Sequence, residues 1–553
     1  MMITVYSMRR MGLLVVLGLF FFSALPESHA SYRIWRIGNE TALSHQSRGI
    51  TNFGDGVVYG LGGKLFRTNG TSSGTYHLAT LEGPMAVFNS YVYYANSTHS
   101  LGRSNGMPDN DQLFFDTDGS PTPVGVLREH LVFFVQEKVY RTDGTLLGTE
   151  LLYDFSTQYS FPSSSDHPRD FIMLGDYVYF VVGPGTGNHG VWRTDGTAEG
   201  TILLRERSDA RLSTLTAGDS ILFFSEREDT GVRLWTTDGS TAGTQMLRAF
   251  PFSSQWGSSF IISRSFANGT LWFGINPLNE LWRSDGTTAG TELVYTFPTL
   301  PFGYGRQMEE MRAVGDIVFL RAAAEEDLPA HHLWRSDGTA AGTYRLVSSE
   351  TGSFFALGAA SLVGALDNQL LFWGNDDNGL ALWLSDGADE NAEKFSDSFS
   401  VYGESFAYKD SYLVSGNDGD GWDLWAITRE ESLQFIRQPS PSRWYFEGDL
   451  LDVSVEISLW AQDIAEYQWY KDDVPIEGAE SSNLLVPMLT LDDSGHYFCR
   501  VNLEEKEGPY DSETVEIRVY EEGSMPVTTL PSLIIFAVLL SLCFSLRNRA
   551  YEK

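Results

Sequence analysis

Two segments of the chain are almost identical: residues 281–291 read LWRSDGTTAGT and residues 333–343 read LWRSDGTAAGT. They differ only where Thr288 in the first copy is replaced by Ala340 in the second. A catalytic motif usually occurs once, whereas a phrase that returns along a chain is more often a structural unit. The duplication therefore favours a repeat architecture over a catalytic motif.

Further copies of this phrase extend the repeat in both directions. The other close copies are LFRTNGTSSGT (65–75), VYRTDGTLLGT (139–149), VWRTDGTAEGT (191–201) and LWTTDGSTAGT (234–244), and weaker copies stand at 101–106, 382–387 and 424–430. The units recur about every 45 residues and each also holds an apolar run such as DYVYFVV (176–182). Apolar runs bounded by Gly, Asn and Asp indicate short strands joined by hairpins. Four such strands per unit are typical of a β-propeller blade.

Each recurring residue type can be given one structural role. We expect the Trp to fill the space between neighbouring blades, Asp-Gly to form a tight turn and the Thr hydroxyls to hold that turn. The residues predicted to have the Trp and Asp roles are Trp192, Asp195, Trp235, Asp238, Trp282, Asp285, Trp334 and Asp337. The phrase also carries Arg141, Arg193, Arg283 and Arg335 at identical positions of their units. These arginines are expected to bond acidic neighbours at the blade edge rather than to converge on one substrate.

The phrase resembles the signature ELWxxDGTxxGTxLV of repeats that occur in tandem in bacterial extracellular proteins. It is also similar to the Asp-box turn of sialidase-type propellers, which lies between the third and fourth strands of a blade. The resemblance implies a secreted or surface-displayed propeller, generally without an assigned reaction. Because the weaker copies lack the Gly-Thr half, we expect eight or nine four-stranded blades over residues 31–436. Tyr32–Ile37 (YRIWRI) is a candidate closing strand for the last blade.

Residues 437–522 differ from the repeats, with 20 acidic and 6 basic residues. Two segments, YQWYKDDVPIEGA (467–479) and LTLDDSGHYFCRV (489–501), resemble strands C and F of an immunoglobulin-like domain. The resemblance makes Trp469 the core tryptophan, Tyr497 the corner tyrosine and Cys499 the cysteine of strand F.

The predicted strand B of this domain has no cysteine. It offers Val453 and Val455 where the partner of Cys499 would stand. We therefore expect a β-sandwich without a disulfide, in which Cys499 is a buried small apolar residue. Modules of this kind usually serve as spacers.

Both ends of the chain predict export. Arg9 and Arg10 precede an apolar run and Ser28-His29-Ala30, which is typical of a signal peptide of residues 1–30. Residues 523–553 hold a short linker, an uncharged segment at 527–546 that is long enough for a single transmembrane span, and a basic tail. The alternative for this segment is a sorting signal that is cleaved on delivery. Both interpretations place the ectodomain outside the cytoplasm and hold the protein at the cell envelope.

Composition and motifs restrict the chemistry. The chain has 38 basic and 72 acidic residues, a net charge of −34, which disfavours a nucleic-acid partner. We find no catalytic or cofactor motif, so we predict neither an enzyme nor a bound cofactor. Asn417, Asp418 and Asp420 resemble half of a calcium loop, although they also suit an ordinary hairpin loop. His331-His332 beside residues 325–327 is the other metal candidate, against an exposed polar loop.

Three classes of function remain open. The first is a binding or display module for a protein or carbohydrate ligand, with the immunoglobulin-like domain as spacer. The second is a sialidase-like enzyme acting on glycans, which rests on analogy of fold alone. The third is a self-assembling structural protein of the envelope. We predict the first, because the repeated residues have structural roles and no catalytic motif accompanies them.

Overall fold

The computed structural model describes most of the chain between residues 32 and 521. The described residues are 32–37, 47–96, 99–161, 167–183, 189–208, 210–251, 260–276, 278–297, 308–323, 331–358, 362–387, 391–397, 399–409, 411–429, 433–441, 444–462, 464–503 and 508–521. The predicted signal peptide (1–30) and the predicted membrane or sorting segment (527–546) lie outside them. Among the described residues, no helix has both the length and the hydropathy needed to cross a bilayer. The chain divides between Glu430 and Glu431 into two compact units.

The first unit begins with β1 (Tyr32–Arg36) and then forms sheets that follow one another along the chain. Sheet 1 contains β2 (Ser47–Phe53), β3 (Gly56–Leu61), β4 (Lys64–Thr68) and β5 (Tyr76–Thr80); sheet 2 contains β6 (Met85–Phe88), β7 (Tyr91–Ala95), β8 (Leu101–Ser104) and β9 (Asp111–Phe115); sheet 3 contains β10 (Pro121–Leu127), β11 (His130–Val135), β12 (Lys138–Thr142) and β13 (Thr149–Asp154).

The middle sheets have the same order of strands. Sheet 4 contains β14 (Arg169–Leu174), β15 (Tyr177–Val182), β16 (His189–Thr194) and β17 (Ile202–Arg207); sheet 5 contains β18 (Arg211–Ala217), β19 (Leu222–Glu228), β20 (Gly231–Thr237) and β21 (Gln245–Pro251); sheet 6 contains β22 (Phe260–Ala267), β23 (Thr270–Asn276), β24 (Glu280–Ser284) and β25 (Glu292–Thr296).

The last sheets contain two variations. Sheet 7 contains β26 (Met308–Val314), β27 (Ile317–Ala323), β28 (His331–Ser336) and β29 (Tyr344–Arg345); sheet 8 contains β30 (Val347–Ser348), β31 (Leu362–Leu366), β32 (Gln369–Asp376), β33 (Gly379–Ser385) and β34 (Asn391–Ser396); sheet 9 contains β35 (Ser400–Tyr408), β36 (Ser411–Asn417), β37 (Trp422–Arg429) and the returning β1. The variations are the extra β30, which pairs parallel with β34, and the use of β1 in sheet 9.

The sheets form a closed ring. The first strands of successive sheets contact one another from β2 to β35. Tyr408 Oη of sheet 9 donates a hydrogen bond to the carbonyl oxygen of Asp55 in sheet 1, at 2.7 Å. β1 pairs antiparallel with β37, with Tyr32 opposite Arg429, and thereby supplies the expected closing strand. Radially repeated antiparallel sheets in a ring are a β-propeller, which confirms the predicted all-β fold.

The hydrophobic core lies between successive sheets. One cluster combines Phe134 and Phe155 of sheet 3 with Phe180 and Trp192 of sheet 4. The second strand of each sheet lies between two layers of this core, and five of the six residues of β15 are fully buried. Burial on both faces explains why these strands read as continuous apolar runs rather than as alternating patterns.

The second unit is an immunoglobulin-like sandwich. Its strands are β38 (Phe435–Arg437), β39 (Tyr445–Phe446), β40 (Leu451–Ser454), β41 (Glu456–Ile457), β42 (Ala465–Lys471), β43 (Val474–Pro475), β44 (Asn483–Val486), β45 (Gly495–Leu503), β46 (Tyr510–Asp511), β47 (Val515–Ile517) and β48 (Val519–Tyr520). β38 pairs with β41 and therefore belongs to this unit. The unit thus begins a few residues before the predicted boundary at residue 437.

The chain enters the second unit at one end, which we call the entry end. There the N–H of Gln434 donates to Ser458 Oγ at 3.0 Å, and the N–H of Ser458 donates to the Gln434 carbonyl oxygen at 2.8 Å. A short 3-10 turn (Leu459–Ala461) follows and leads to Ala465, the first residue of β42. The entry end is therefore the end at which β42 begins.

The chain leaves at the opposite end, which we call the exit end. β42 finishes there with Lys471, whose amine donates to the carbonyl oxygen of Asp492. The last described strand adjoins the same segment, because the N–H of Val519 donates to Ser494 Oγ at 3.0 Å. Seven residues of β42 separate the two ends, a rise of about 20 Å.

Candidate functional site

The Asp-Gly turn of the repeated phrase is held by its own side chains, as sheet 6 shows. Asp285 Oδ1 accepts hydrogen bonds from the N–H and the hydroxyl of Thr287, at 2.8 and 2.7 Å. Thr287 Oγ1 accepts from the N–H of Gly290 at 2.9 Å, and Thr291 Oγ1 donates to the Thr287 carbonyl oxygen at 2.6 Å. Gly286 has a φ of +88°, a conformation that favours glycine. The polar atoms of the phrase are therefore used within the turn.

The same carboxylate bonds recur around the ring. The Oδ1 atom accepts from the N–H and the hydroxyl two positions later at Asp143, Asp195, Asp238 and Asp337. Hydrogen bonds from the residue two positions later hold the carboxyl pKa below its usual value at Asp143, Asp238, Asp285 and Asp337. Each carboxylate therefore stabilises its turn in the ionised form.

Phe–Trp pairs join successive sheets. Phe155, which follows the fourth strand of sheet 3, lies edge-on to Trp192 in the third strand of sheet 4, with ring centroids 5.1 Å apart. The corresponding pairs at later interfaces are Phe250–Trp282 (5.1 Å), Phe297–Trp334 (5.0 Å), Phe355–Trp383 (4.8 Å) and Phe399–Trp425 (4.9 Å). Edge-on aromatic pairs contribute about 0.5–1.5 kcal/mol beyond the burial of their area. The tryptophans of these pairs therefore lie between sheets, and the sequence analysis missed their phenylalanine partners.

The arginines of the phrase also connect sheets. Arg67, Arg103 and Arg141 each donate to a turn carbonyl in the following sheet, those of Gly106, Gly144 and Gly196, at 3.2, 2.9 and 2.8 Å. Acidic partners on the neighbouring strand are present for two of the predicted residues, in the pairs Arg141–Glu150 and Arg283–Glu292. For the other two the observed partners are tyrosines, in the pairs Arg193–Tyr177 and Arg335–Tyr344. The phrase arginines thus serve the contacts between strands and sheets.

The calcium candidate lies in the hairpin between β36 and β37. Asn417 Oδ1 accepts from the N–H groups of Gly419 and Gly421 at 2.7 and 3.2 Å, and Asp418 Oδ1 accepts from the N–H of Asp420 at 3.2 Å. These oxygen atoms therefore bond the backbone of their own loop.

The histidine pair lies at the start of β28. His332 Nδ1 is 3.0 Å from the carbonyl oxygen of Phe355, and His331 Nε2 is 4.0 Å from Glu309 Oε2. Residues 325–327 lie outside the described part of the chain. Within the described part, no group of three or more His, Cys, Asp or Glu side chains is placed to hold a metal ion.

The interface between sheets 4 and 5 departs from the Phe–Trp pattern. The guanidinium of Arg205, on β17 of sheet 4, lies over the ring of Trp235 at 4.0 Å from its centroid. Trp235 is half-buried, and the arginine position of its phrase is occupied by Thr236. Arg207 of sheet 4 occupies the position, six residues after the last threonine of the phrase, that Phe155, Phe250 and Phe297 hold in their sheets. The arginine over the tryptophan is not peculiar to this interface, because Arg248 lies 4.3 Å from the ring centroid of Trp282 at the next one.

A network of charged side chains extends from the contact between Arg205 and Trp235, and we call it the Arg–Glu network. Glu226 of β19 is fully buried at its centre. Its carboxylate is 2.7 Å from Arg205 Nη2, 3.0 Å from Arg233 Nη1 and 3.4 Å from Arg207 Nη1. A second carboxylate, Glu228, pairs with Arg207 at 2.7 Å and with Arg233. The Arg233 guanidinium holds the pKa of Glu228 below its usual value.

The Arg–Glu network presents its positive groups to solvent. The side chains of Arg205, Arg207 and Arg233 are 25%, 26% and 30% exposed, whereas those of Glu226 and Glu228 are 0% and 13% exposed. In the described contacts, three guanidinium groups pair with two carboxylates, and the guanidinium groups form the exposed side of the network. It lies at the end of the sheets opposite to the Asp-Gly turns. Sequence reasoning missed these residues, because they come from three strands in two sheets.

The predicted core residues of the second unit are all buried. Trp469 lies opposite Cys499 in register, and Val453 and Val455 pack at 2% exposure each. Burial raises the pKa of the Cys499 thiol to about 12, and this cysteine is free. Tyr497 Oη donates to the carbonyl oxygen of Asp493 at 2.7 Å, which is the bond of a tyrosine corner.

Comparison with known proteins assigns the second unit. Residues 434–519 match the family model of the immunoglobulin domain. No curated protein matched the chain.

Several solved structures are similar to this chain, all at low identity. The β-propeller domain of Cps50 (Swd1) from Myceliophteria thermophila is 10% identical with a TM-score of 0.29, covering 53% of this chain and 96% of that one. Apo AztD from Citrobacter koseri is 10% identical with a TM-score of 0.33, covering 72% and 98%. The β-propeller domain of the Trilobed protease from Pyrococcus furiosus is 10% identical with a TM-score of 0.30, covering 64% and 96%. The assignment of a propeller here rests on the closed ring of sheets described above.

Proposed function

We propose that this chain is an exported, membrane-attached binding and display protein, built from a nine-bladed propeller and an immunoglobulin-like spacer. The observation that carries the proposal is the Arg–Glu network between sheets 4 and 5. In a repeat protein the shared residues build the scaffold, so a site is expected where one unit departs from the rest.

Stability alone gives no reason to keep charge at this interface. A buried ion network is often no more stable than well-packed apolar residues of similar volume. At other interfaces of the same ring, apolar Phe–Trp pairs fill the space between the sheets. This difference from the Phe–Trp interfaces supports a role of the network in recognition.

The chemistry of the network selects an anionic ligand. Guanidinium groups bind carboxylates and sulfates through paired N–H donors in a fixed geometry. The side chains of Arg205 and Arg233 are partly exposed, and Arg205 lies over the half-buried ring of Trp235. The ligand is a protein or carbohydrate that carries carboxylate or sulfate groups. Because the overall charge is −34, the guanidinium groups of the network would attract an anionic ligand that most of the surface repels.

The second unit suits the role of a spacer. Its entry end and exit end lie at opposite ends of β42. A module of this kind adds its own length between a preceding domain and a following anchor. The uncharged segment 527–546 would supply that anchor, as a lasting span or as a sorting signal.

The contacts of the phrase arginines disfavour the sialidase-like alternative. Such a reaction needs arginines that converge on one substrate. Arg67, Arg103 and Arg141 instead donate to turn carbonyls of the next sheet. Those side chains are therefore not available as a substrate clamp.

Binding of the secreted ectodomain (residues 31–523) to uronate-containing, sialylated, sulfated and neutral oligosaccharides and to acidic peptides tests the proposal. We expect acidic ligands to bind and neutral ones not to bind. Arg207→Gln should weaken binding about tenfold, which corresponds to about 1.4 kcal/mol. Glu228→Gln should strengthen binding, because it removes a carboxylate that competes for the same guanidinium groups.

Arg283→Gln is the matched control, since Arg283 belongs to the phrase at the opposite end of a sheet. It should leave binding unchanged. Equal affinity for acidic and neutral ligands, or the same affinity in Arg207→Gln and Glu228→Gln at an unchanged melting temperature, would contradict the proposed site.

A further inference from the structure

Exposed apolar side chains cluster at the exit end of the second unit. Met488 is 74% exposed, Leu450 53% and Leu491 43%. Backbone hydrogen bonds of 2.7 and 2.9 Å join residues 448–449 to Leu489, so the turn that holds Leu450 adjoins the segment that holds Met488 and Leu491. Side chains of this type are usually buried, and a cluster of them at one end of a domain marks a contact surface.

Three aromatic rings lie beside this cluster. The ring of Tyr520 is 6.1 Å from that of Trp444 and 6.4 Å from that of Phe446, measured between centroids. All three are half-buried, and Tyr520 belongs to the last described strand. Tryptophan and tyrosine are enriched where proteins cross the headgroup region of a bilayer.

The backbone at Met488 points to a role outside the fold. Met488 has a φ of +56°, in the left-handed region that Gly and Asn occupy more easily. Its side chain is exposed, so core packing does not explain the methionine either. A residue that suits neither its backbone conformation nor its solvent exposure is a candidate for function.

The position of this cluster relative to the chain selects its partner. Five residues separate Glu521, the last described residue, from Val527, the start of the predicted membrane segment. Even fully extended, this linker spans at most about 20 Å. The headgroup layer on one side of a bilayer is about 5–8 Å thick. With segment 527–546 in the bilayer, the exit end would be held close to the lipid surface in any conformation of the linker.

We propose that the exit end of the immunoglobulin-like unit rests on the bilayer, with Met488, Leu450 and Leu491 inserted among the lipid headgroups. This contact fixes the spacer against the membrane instead of leaving it on a free tether. The inference rests on the membrane attachment proposed above.

The charge of the exit end defines the lipid. Five acidic residues border the apolar cluster, against the two basic residues Lys471 and Arg518 at the same end; the acidic ones are Glu447, Asp449, Asp492, Asp493 and Glu521. Anionic lipids repel such a surface, whereas zwitterionic headgroups do not. The surface therefore fits a zwitterionic bilayer and inserts less well into an anionic one.

The test uses the full chain in phosphatidylcholine nanodiscs. With Cys543→Ser, the remaining Cys499 is fully buried, so a nitroxide can be attached selectively in Met488→Cys or, as a control at the entry end, in Ile436→Cys. Ile436 is 46% exposed. We expect the ratio of oxygen to nickel-chelate accessibility, which rises with depth in lipid, to be several-fold higher at residue 488 than at residue 436. Adding phosphatidylglycerol should lower the ratio at residue 488.

A second variant separates contact from stability. Met488→Asn suits the positive φ, so it should not lower the melting temperature. With the nitroxide in Leu450→Cys, the same substitution should lower the accessibility ratio at residue 450. An unchanged ratio there would show that Met488 does not hold the end on lipid.

The outcomes distinguish this inference from the one on which it rests. A chain that fails to enter the nanodiscs overturns membrane attachment and this inference together. A chain that enters them, with residue 488 as exposed to water as residue 436, overturns this inference alone. Shielding of residue 488 in the lipid-free ectodomain (residues 31–523) would assign the surface to a second copy of the chain instead.

Discussion

Replacing the buried Phe297 by alanine should destabilise the propeller far more than replacing an exposed phenylalanine such as Phe354. Phe297 is 1% exposed and lies edge-on to Trp334, with ring centroids 5.0 Å apart at 84°. Truncating a buried Phe to Ala costs about 3–5 kcal/mol through lost burial and the cavity left behind. The hydrogen bond from the backbone N–H of Phe297 to the carbonyl oxygen of Asn279 does not depend on the side chain and should remain. We therefore expect a loss of about 4 kcal/mol in the free energy of unfolding.

The assay is urea unfolding of residues 31–523, followed by tryptophan fluorescence. A double-mutant cycle with Trp334→Leu isolates the part that belongs to the pair, for which we expect a coupling of about 1 kcal/mol. Phe354→Ala is the control, because Phe354 is 38% exposed and should cost less than about 1 kcal/mol. A loss in Phe297→Ala no larger than in Phe354→Ala, or a coupling energy of zero, would refute the idea that Phe–Trp pairs hold the sheets together.

Three further predictions follow from features of the turn, the second unit and the tail. Asp285→Ala removes two turn bonds and should lower the free energy of unfolding by about 2 kcal/mol. Because the folded pKa of Asp285 is depressed, the stabilisation by its carboxylate is present above about pH 4 and is lost as the pH falls through the folded pKa. The difference in melting temperature between the variant and the unmodified chain should therefore become smaller in acid. In a Cys543→Ser chain, Cys499 should react with a thiol reagent at pH 8 only after unfolding, and reductant should not shift the melting of the second unit, because burial raises the pKa of this free thiol to about 12. Leu539→Asp places a charge in the predicted span at a cost of about 2.5–3.5 kcal/mol and should release the ectodomain into the soluble fraction, whereas firm retention in the envelope would argue against anchoring by the tail.

The repeat made most of the fold predictable. A residue that recurs once per unit has the same local environment each time, so the turn bonds of Asp285 and Asp337 could be expected from the phrase alone. The phenylalanines that pair with the tryptophans also recur, as in LLYDF (151–155) and LVYTF (293–297). They were missed because they lie outside the eleven-residue phrase, in segments whose other residues differ from one unit to the next.

The Arg–Glu network could not be predicted in the same way. Arg205 and Arg207 read as ordinary charges of an outer strand, and Glu226 reads as the end of an apolar run. The contacts among these side chains depend on how sheet 4 packs against sheet 5, and no local sequence pattern predicts that packing. A weaker signal was present in Thr236, which stands where other copies of the phrase have arginine.

The closing strand β1 pairs with a strand that is synthesised much later, so the ring can close only at the end of its synthesis. Tyr32 lies opposite Arg429, so the first residues of the ring pair with the last. During synthesis β1 emerges first, yet its partner β37 is made only after every other sheet. Closing a loop of this length costs only slightly more entropy than closing a short one, but contacts so distant in sequence form slowly. Until then sheet 9 has an unpaired edge, which is open to pairing with another chain. The ring therefore depends on a protected interval between the synthesis of its first strand and the synthesis of its last.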